Sequence, residues 1–178
     1  VYQTVGYGLC NSMMIEGKTG MIIIDGNDSI EAAQMEYDEF KKVCDKPVSA
    51  MIYSHNHYIM GARAYIPRGK EQEIEIWAHQ DNLPNTMEVM GDIMPSYFRR
   101  LYINTGNFLA RDGENGYVGG ALGPFYTNPN VAEPTQEYIP PNRLISNDPV
   151  TRQVIDGVQF EFYPAFSECS DSMIIYLP

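Results

Sequence analysis

Apolar residues come in short dense runs through the first third of the chain, and their spacing passes from strand-like to helical and back. Ser12-Met-Met-Ile-Glu16 reads as a strand and Gly17-Lys-Thr-Gly20 as a hairpin-like turn. Met21-Ile-Ile-Ile24 reads as a second, paired strand that ends at Asp25-Gly26. Asp28 or Ser29 then caps a helix in which Ile30, Ala33, Tyr37 and Phe40 recur at spacings of three and four. Lys41 and Lys42 fall in its last turn, where positive charge suits the helix dipole, and the helix stops near Cys44. Pro47 opens a further strand, Val48-Ser-Ala-Met-Ile-Tyr53. Strands flanking a helix predict an α/β layer, in which functional sites gather at strand ends.

The middle of the chain is less regular. Glu73-Ile-Glu-Ile-Trp77 alternates like a strand with one wet face, and Leu83 to Leu109 contains helical stretches interrupted at Pro84, Gly91 and Pro95. Met87, Met90 and Met94 are expected to fill the core, because methionine suits irregular packing. Arg111 to Pro134 is rich in Gly and Asn and reads as a long loop whose spacing matches neither a P-loop nor a dinucleotide fingerprint. From Leu144 the pattern is β again: Gln153-Val-Ile, a turn at Asp156-Gly157, the alternating Val158 to Tyr163, and Met173 to Leu177.

With 178 residues, 44% hydrophobic and 20% charged, the chain is long and apolar enough for one substantial domain. A net charge of −11 argues against nucleic acid or anionic lipid as a partner, since phosphate neutralisation needs clustered Lys and Arg. No apolar run reaches the length of a membrane span, and no signal segment opens the chain, so secreted, periplasmic and cytoplasmic locations all stay open. Cys10, Cys44 and Cys169 are odd in number and lack C-x-x-C spacing; they predict small buried thiols rather than disulfides or a cysteine zinc site. The start at Val1, and a stop at Pro178 just after a strand-like segment, predict a fragment of a longer protein.

The chemistry concentrates in Tyr53-Ser-His-Asn-His-Tyr58, which holds two of the three histidines. Alternate residues of an extended chain face one side, so His55 and His57 can aim both imidazoles at one ion. Zinc and similar ions accept neutral imidazole, but further ligands must come from elsewhere in the chain. The competing reading is a pair of solvent-facing polar residues in a turn.

Several runs carry a resemblance: Gly8-Leu-Cys-Asn-Ser-Met-Met-Ile-Glu-Gly17, Thr19-Gly20, Ile22-Ile-Ile-Asp25, Lys46-Pro-Val48, Ile52-Tyr-Ser-His55, Gly119-Gly-Ala-Leu-Gly123, Ile139-Pro-Pro141 and Ile155-Asp-Gly-Val158. Together they resemble the alkylsulfatases of the metallo-β-lactamase superfamily, in order across nearly the whole chain. The resemblance implies an αββα sandwich, present in part, with residues 1–178 forming a metallo-β-lactamase-like catalytic domain whose C-terminal part lies beyond Pro178. It implies hydrolysis of small-molecule alkyl sulfate esters such as dodecyl sulfate at a two-zinc site.

In that family the metal motif runs H-x-H-x-D-H, followed by a Glu in a T-E-x-x-x-E-like segment, a later Glu and a distal His. His55 and His57 match the first two positions, and Glu168 in Phe166-Ser-Glu-Cys-Ser-Asp171 matches the first glutamate. Ile59 and Met60 stand where the family has Asp and His, or, if Gly61 aligns with the family's glycine pair, those two residues are missing, and the later ligands would lie past Pro178. At most one well-formed zinc site is therefore expected, with weaker binding than a two-metal clamp gives. A degenerate, non-catalytic binding module of the same fold is the alternative. A lactonase or thioesterase is a third reading, against which the alkylsulfatase-like runs count.

Asp25 either orients a ligand histidine through a hydrogen bond or simply starts a turn. Arg99, Arg100 and Arg111 are candidates to receive the sulfate, since planar guanidinium suits oxyanions. His79 reads as structural or surface. Association with the rest of a longer chain, or with a second copy, is expected.

Overall fold

A computed structural model describes residues 1–91, 93–106, 108–110, 112–117, 134–165 and 167–178. Strands β1 (Tyr2–Gln3), β2 (Met13–Glu16) and β3 (Met21–Ile24) form an antiparallel meander. Helix α1 (Ile30–Val43) then crosses to β4 (Val48–Ile52), and β5 (Glu75–His79) and β6 (Arg143–Ile145) complete a six-stranded sheet in sequential order whose β3 to β6 half is parallel. Between β5 and β6 lie α2 (Asn82–Met90) and α3 (Met94–Asn104). A second, antiparallel sheet is made of β7 (Thr151–Ile155), β8 (Val158–Pro164) and β9 (Met173–Tyr176).

Strand β3 is buried on both faces, and its alternation divides the core in two. Met21 and Ile23 point to the α1 side, where they join Ala33, Phe40 and Met51. Ile22 and Ile24 point to the second sheet, where they join Ile52, Trp77, Phe160, Phe162 and Met173. Helix layer, first sheet and second sheet are thus three layers of the sandwich. The helix begins as its sequence requires: Ser29 is extended, at φ −146° and ψ 156°, and its Oγ accepts from the Ala32 N–H.

Three expectations need correction. Pro84 does not interrupt a helix but sits in the first turn of α2, where a backbone N–H has no helical partner to lose. Met87 does not fill the core: Asn82, Thr86 and Met90 form the inward stripe of α2, which leaves Leu83 and Met87 outside, at 44% and 62% exposure. The strand expected at Glu73 starts two residues later, because the Glu73 N–H is bound in a turn to the Lys70 carbonyl. The loop Arg111 to Pro134, including the glycine run at 119–123, lies largely outside the described residues. No described helix is long and apolar enough to cross a membrane.

Candidate metal centre

The site forms where the C-terminal ends of β3 and β4 meet the β8 to β9 connection. Ile24 and Ile52 are register partners in parallel strands, so the residues that follow each strand emerge side by side. Asp25, at φ 60°, turns its carboxylate onto the neighbouring segment: Oδ1 accepts from the Ser54 N–H at 2.8 Å and Oδ2 from the Ser54 hydroxyl at 2.7 Å. Ser54 Oγ in turn lies 2.8 Å from His55 Nδ1. In its ionised form the Asp25 carboxylate can only accept, so the Ser54 proton then points to Asp25 and the free lone pair of Oγ takes the Nδ1–H of His55. His55 is thereby held as the tautomer whose Nε2 carries the lone pair. Asp25 orients the histidine, but through Ser54 rather than directly.

The second sheet supplies the carboxylate. The Met173 N–H donates to the Ser54 carbonyl at 3.0 Å, which ties the start of β9 to the histidine loop. The connecting loop is anchored by Asp171, fully buried, which accepts from the Asn82 and Asn85 amides at 2.9 and 2.8 Å. Glu168, on the outside of this loop, places Oε1 at 3.0 Å from His55 Nε2 and 3.3 Å from His57 Nδ1. One donor atom from each of the three residues lies within 4.8 Å of the others, the one such group among the described residues.

The donors suit a single metal ion. His55 Nε2 is buried and has no well-directed hydrogen bond, while the Glu168 side chain is 58% exposed and free to adjust. Burial, with the neighbouring His57, holds the His55 imidazole below its ordinary pKa, which favours the neutral form a metal requires. A second ion finds no comparable set among the described residues. Ile59 is fully buried and Met60 7% exposed, and both belong to the core cluster on the α1 face.

Four residues at the site have roles that the residue pattern alone did not indicate. Ser54 relays Asp25 to His55, and Asp171 anchors the glutamate loop. The Tyr58 ring meets both imidazoles edge to face at 5.8 Å, and its left-handed backbone, at φ 50°, lets its carbonyl accept from the Gly26 N–H. Cys10 and Cys44 are buried as expected, but Cys169 is only half-buried, with Sγ 3.8 Å from His57 Nε2. Burial and the carboxylates of Asp171 and Glu168 push its thiol up to about 11. A cue was present in its position directly after Glu168.

An apolar cavity opens beside His57, walled by Leu9, Met60, Val89, Met90, Tyr97 and Leu101. Arg99 and Arg100 are exposed on α3 and line neither this cavity nor the polar cleft along Glu168; Arg111 lies outside the described residues. His79 is buried and structural: its Nδ1 accepts from the Asp81 N–H, and its Nε2 faces Asn147 Oδ1 at 2.9 Å.

No family model matches the chain. A linear primary-alkylsulfatase of Pseudomonas sp. is 32% identical over 185 residues, covering 99% of this chain and 26% of the relative. An (R)-specific secondary-alkylsulfatase of Pseudomonas sp. is 30% identical over 184 residues, covering 100% of this chain and 27% of the relative. The chain therefore spans about a quarter of the length of these curated relatives. The structure of the stereoselective inverting sec-alkylsulfatase Pisa1 from Pseudomonas sp. superposes with a TM-score of 0.84 at 26% identity, over 99% of this chain and 28% of that one. The FEZ-1 metallo-β-lactamase from Legionella gormanii, at 15% identity and a TM-score of 0.55, shares the fold, over 99% of this chain and 54% of that one.

Proposed function

We propose that this chain, a segment of the alkylsulfatase branch of the metallo-β-lactamase superfamily, carries the metal centre of a hydrolase that cleaves alkyl sulfate esters to an alcohol and sulfate. The observation that carries this reading is the convergence of His55, His57 and Glu168 within 4.8 Å at the strand ends. Two imidazoles and one carboxylate are a donor set that suits zinc and leaves a position open. When bound, the ion supplies a water of lowered pKa and positive charge against the sulfate oxygens.

The chain's own residues do the rest. Asp25 and Ser54 hold His55 in the ligand tautomer, and Asp171 holds the Glu168 loop against the histidines. The apolar cavity beside His57 takes the alkyl tail and excludes water from it.

Zinc-loaded protein is expected to release sulfate from octyl sulfate, and Glu168→Ala to abolish that release. A non-catalytic binding module is the second reading, favoured by the burial of Ile59 and Met60 in the core. Stoichiometric zinc without sulfate release would establish it.

A further inference from the structure

The loop that presents Glu168 presents a second potential donor in the next residue. Cys169 Sγ lies 3.8 Å from Nε2 and 3.9 Å from Nδ1 of His57. Around a tetrahedral zinc ion, an imidazole nitrogen at about 2.0 Å and a thiolate sulfur at about 2.3 Å sit roughly 3.5 Å apart, so the thiol needs to close only a few tenths of an ångström on His57. Its sulfur lies outside the group of three mutually close donor atoms, so the loop that carries it must adjust for it to join them. Cys169 and Glu168 also share a polar cleft with Asn56, which is 4% exposed and whose buried Oδ1 has no hydrogen-bond partner. A buried amide oxygen left without a partner beside a half-exposed thiol and the Glu168 carboxylate calls for a donor at this end of the cleft.

We propose that Cys169, as the thiolate, is a fourth protein ligand to the ion held by His55, His57 and Glu168. The inference rests on the metal-centre reading above and extends it to a residue in the loop that faces the histidines. Binding converts the S–H to a metal–sulfur bond and releases its proton to solvent. Four protein donors would fill a tetrahedral site, so a water would join them only by expansion to five donors, which catalytic zinc sites sometimes undergo. Cys169 thus strengthens metal retention at a centre where Ile59 and Met60 offer no donors.

Cobalt(II) titration tests this, because thiolate ligation gives an intense charge-transfer band in the near ultraviolet while the visible d–d bands report the ion whatever its ligands. Wild-type protein is expected to show both. Cys169→Ser and Cys169→Ala are expected to keep the visible bands, which also shows that they fold, to lose the near-ultraviolet band, and to hold zinc at least tenfold more weakly. Visible bands without the charge-transfer band in the wild type, or a band that persists in both variants, would overturn the cysteine ligand and leave the three-residue centre standing. A wild-type protein that binds no cobalt overturns both.

Discussion

Ser54 has one proton to give, and its partners decide where it goes. With Asp25 accepting at 2.7 Å, Oγ is left to accept from His55 Nδ1, so the hydroxyl fixes which imidazole nitrogen faces the metal. Removing such a hydrogen bond from a metal-bound histidine typically costs ten- to a hundredfold in metal affinity. Ser54→Ala is expected to weaken zinc binding by about that factor in a chelator competition, with little change in melting temperature. Asp25 was legible as a candidate because it ends a strand; its contact with Ser54 was not, since it depends on β3 and β4 being parallel neighbours in register. Gly61 is a second residue-scale constraint. A Cβ there would stand 2.1 Å from the Gly26 carbonyl oxygen and 2.4 Å from that of Ser29, both backbone atoms that cannot turn aside. Gly61→Ala is expected to cost about 3 kcal/mol of stability or more, read from denaturant unfolding, and to lower metal affinity with it.

At the scale of elements, the histidine loop and the glutamate loop come from different sheets, and one carboxylate far from the site holds those sheets in line. Asp156, in the turn between β7 and β8, accepts from the Thr19 hydroxyl at 2.7 Å, the Gly20 N–H at 2.7 Å and the Ser49 hydroxyl at 2.9 Å. It thereby joins the hairpin to the β2 to β3 turn and to β4. Charge-assisted hydrogen bonds of this kind are the strong ones, and Asp156→Ala is expected to lose about 2 kcal/mol in equilibrium unfolding. What the chain shows at this scale follows how local each signal is. The cap at Ser29, the helical spacing to Phe40 and the run of Met21 to Ile24 each act within a few residues, and each appears where the pattern places it. Glu168 reaches the histidines through the Met173 to Ser54 hydrogen bond and the Asp171 anchor on Asn82 and Asn85, contacts of long sequence separation that no spacing encodes; it was legible by family resemblance alone. Cys169 had only its place directly after Glu168 as a guide, and a lone cysteine looks like a buried thiol until the fold sets it beside His57.

For the molecule as a whole, two acids at the centre of the fold set its response to pH. Glu36 is fully buried and accepts from Thr4, Ser12, Asn27 and Tyr65, yet burial still holds it above its ordinary pKa. Asp25 is pushed up to about 7, again by burial. An acid whose folded pKa exceeds its unfolded value binds protons more readily in the folded state, so stability falls as pH rises from about 4 to about 7. Asp156 and Glu137 lie below their ordinary values, and their contribution is lost only as pH drops below about 4. Melting temperature is therefore expected to decline from about pH 5 to pH 7, less steeply in Glu36→Gln; a rise over that range in both proteins would contradict the assignment.

The residues just after His57 bear on how many metal ions the centre takes, because Ile59 and Met60 are committed to the core and offer no donors. Sulfate release from octyl sulfate by metal-stripped protein, followed as zinc is added stepwise, tests this most directly. Release is expected to rise to about one equivalent of zinc per chain and then stay level. Release that demands a second equivalent, or none at any zinc level, would contradict a hydrolytic centre built from His55, His57 and Glu168.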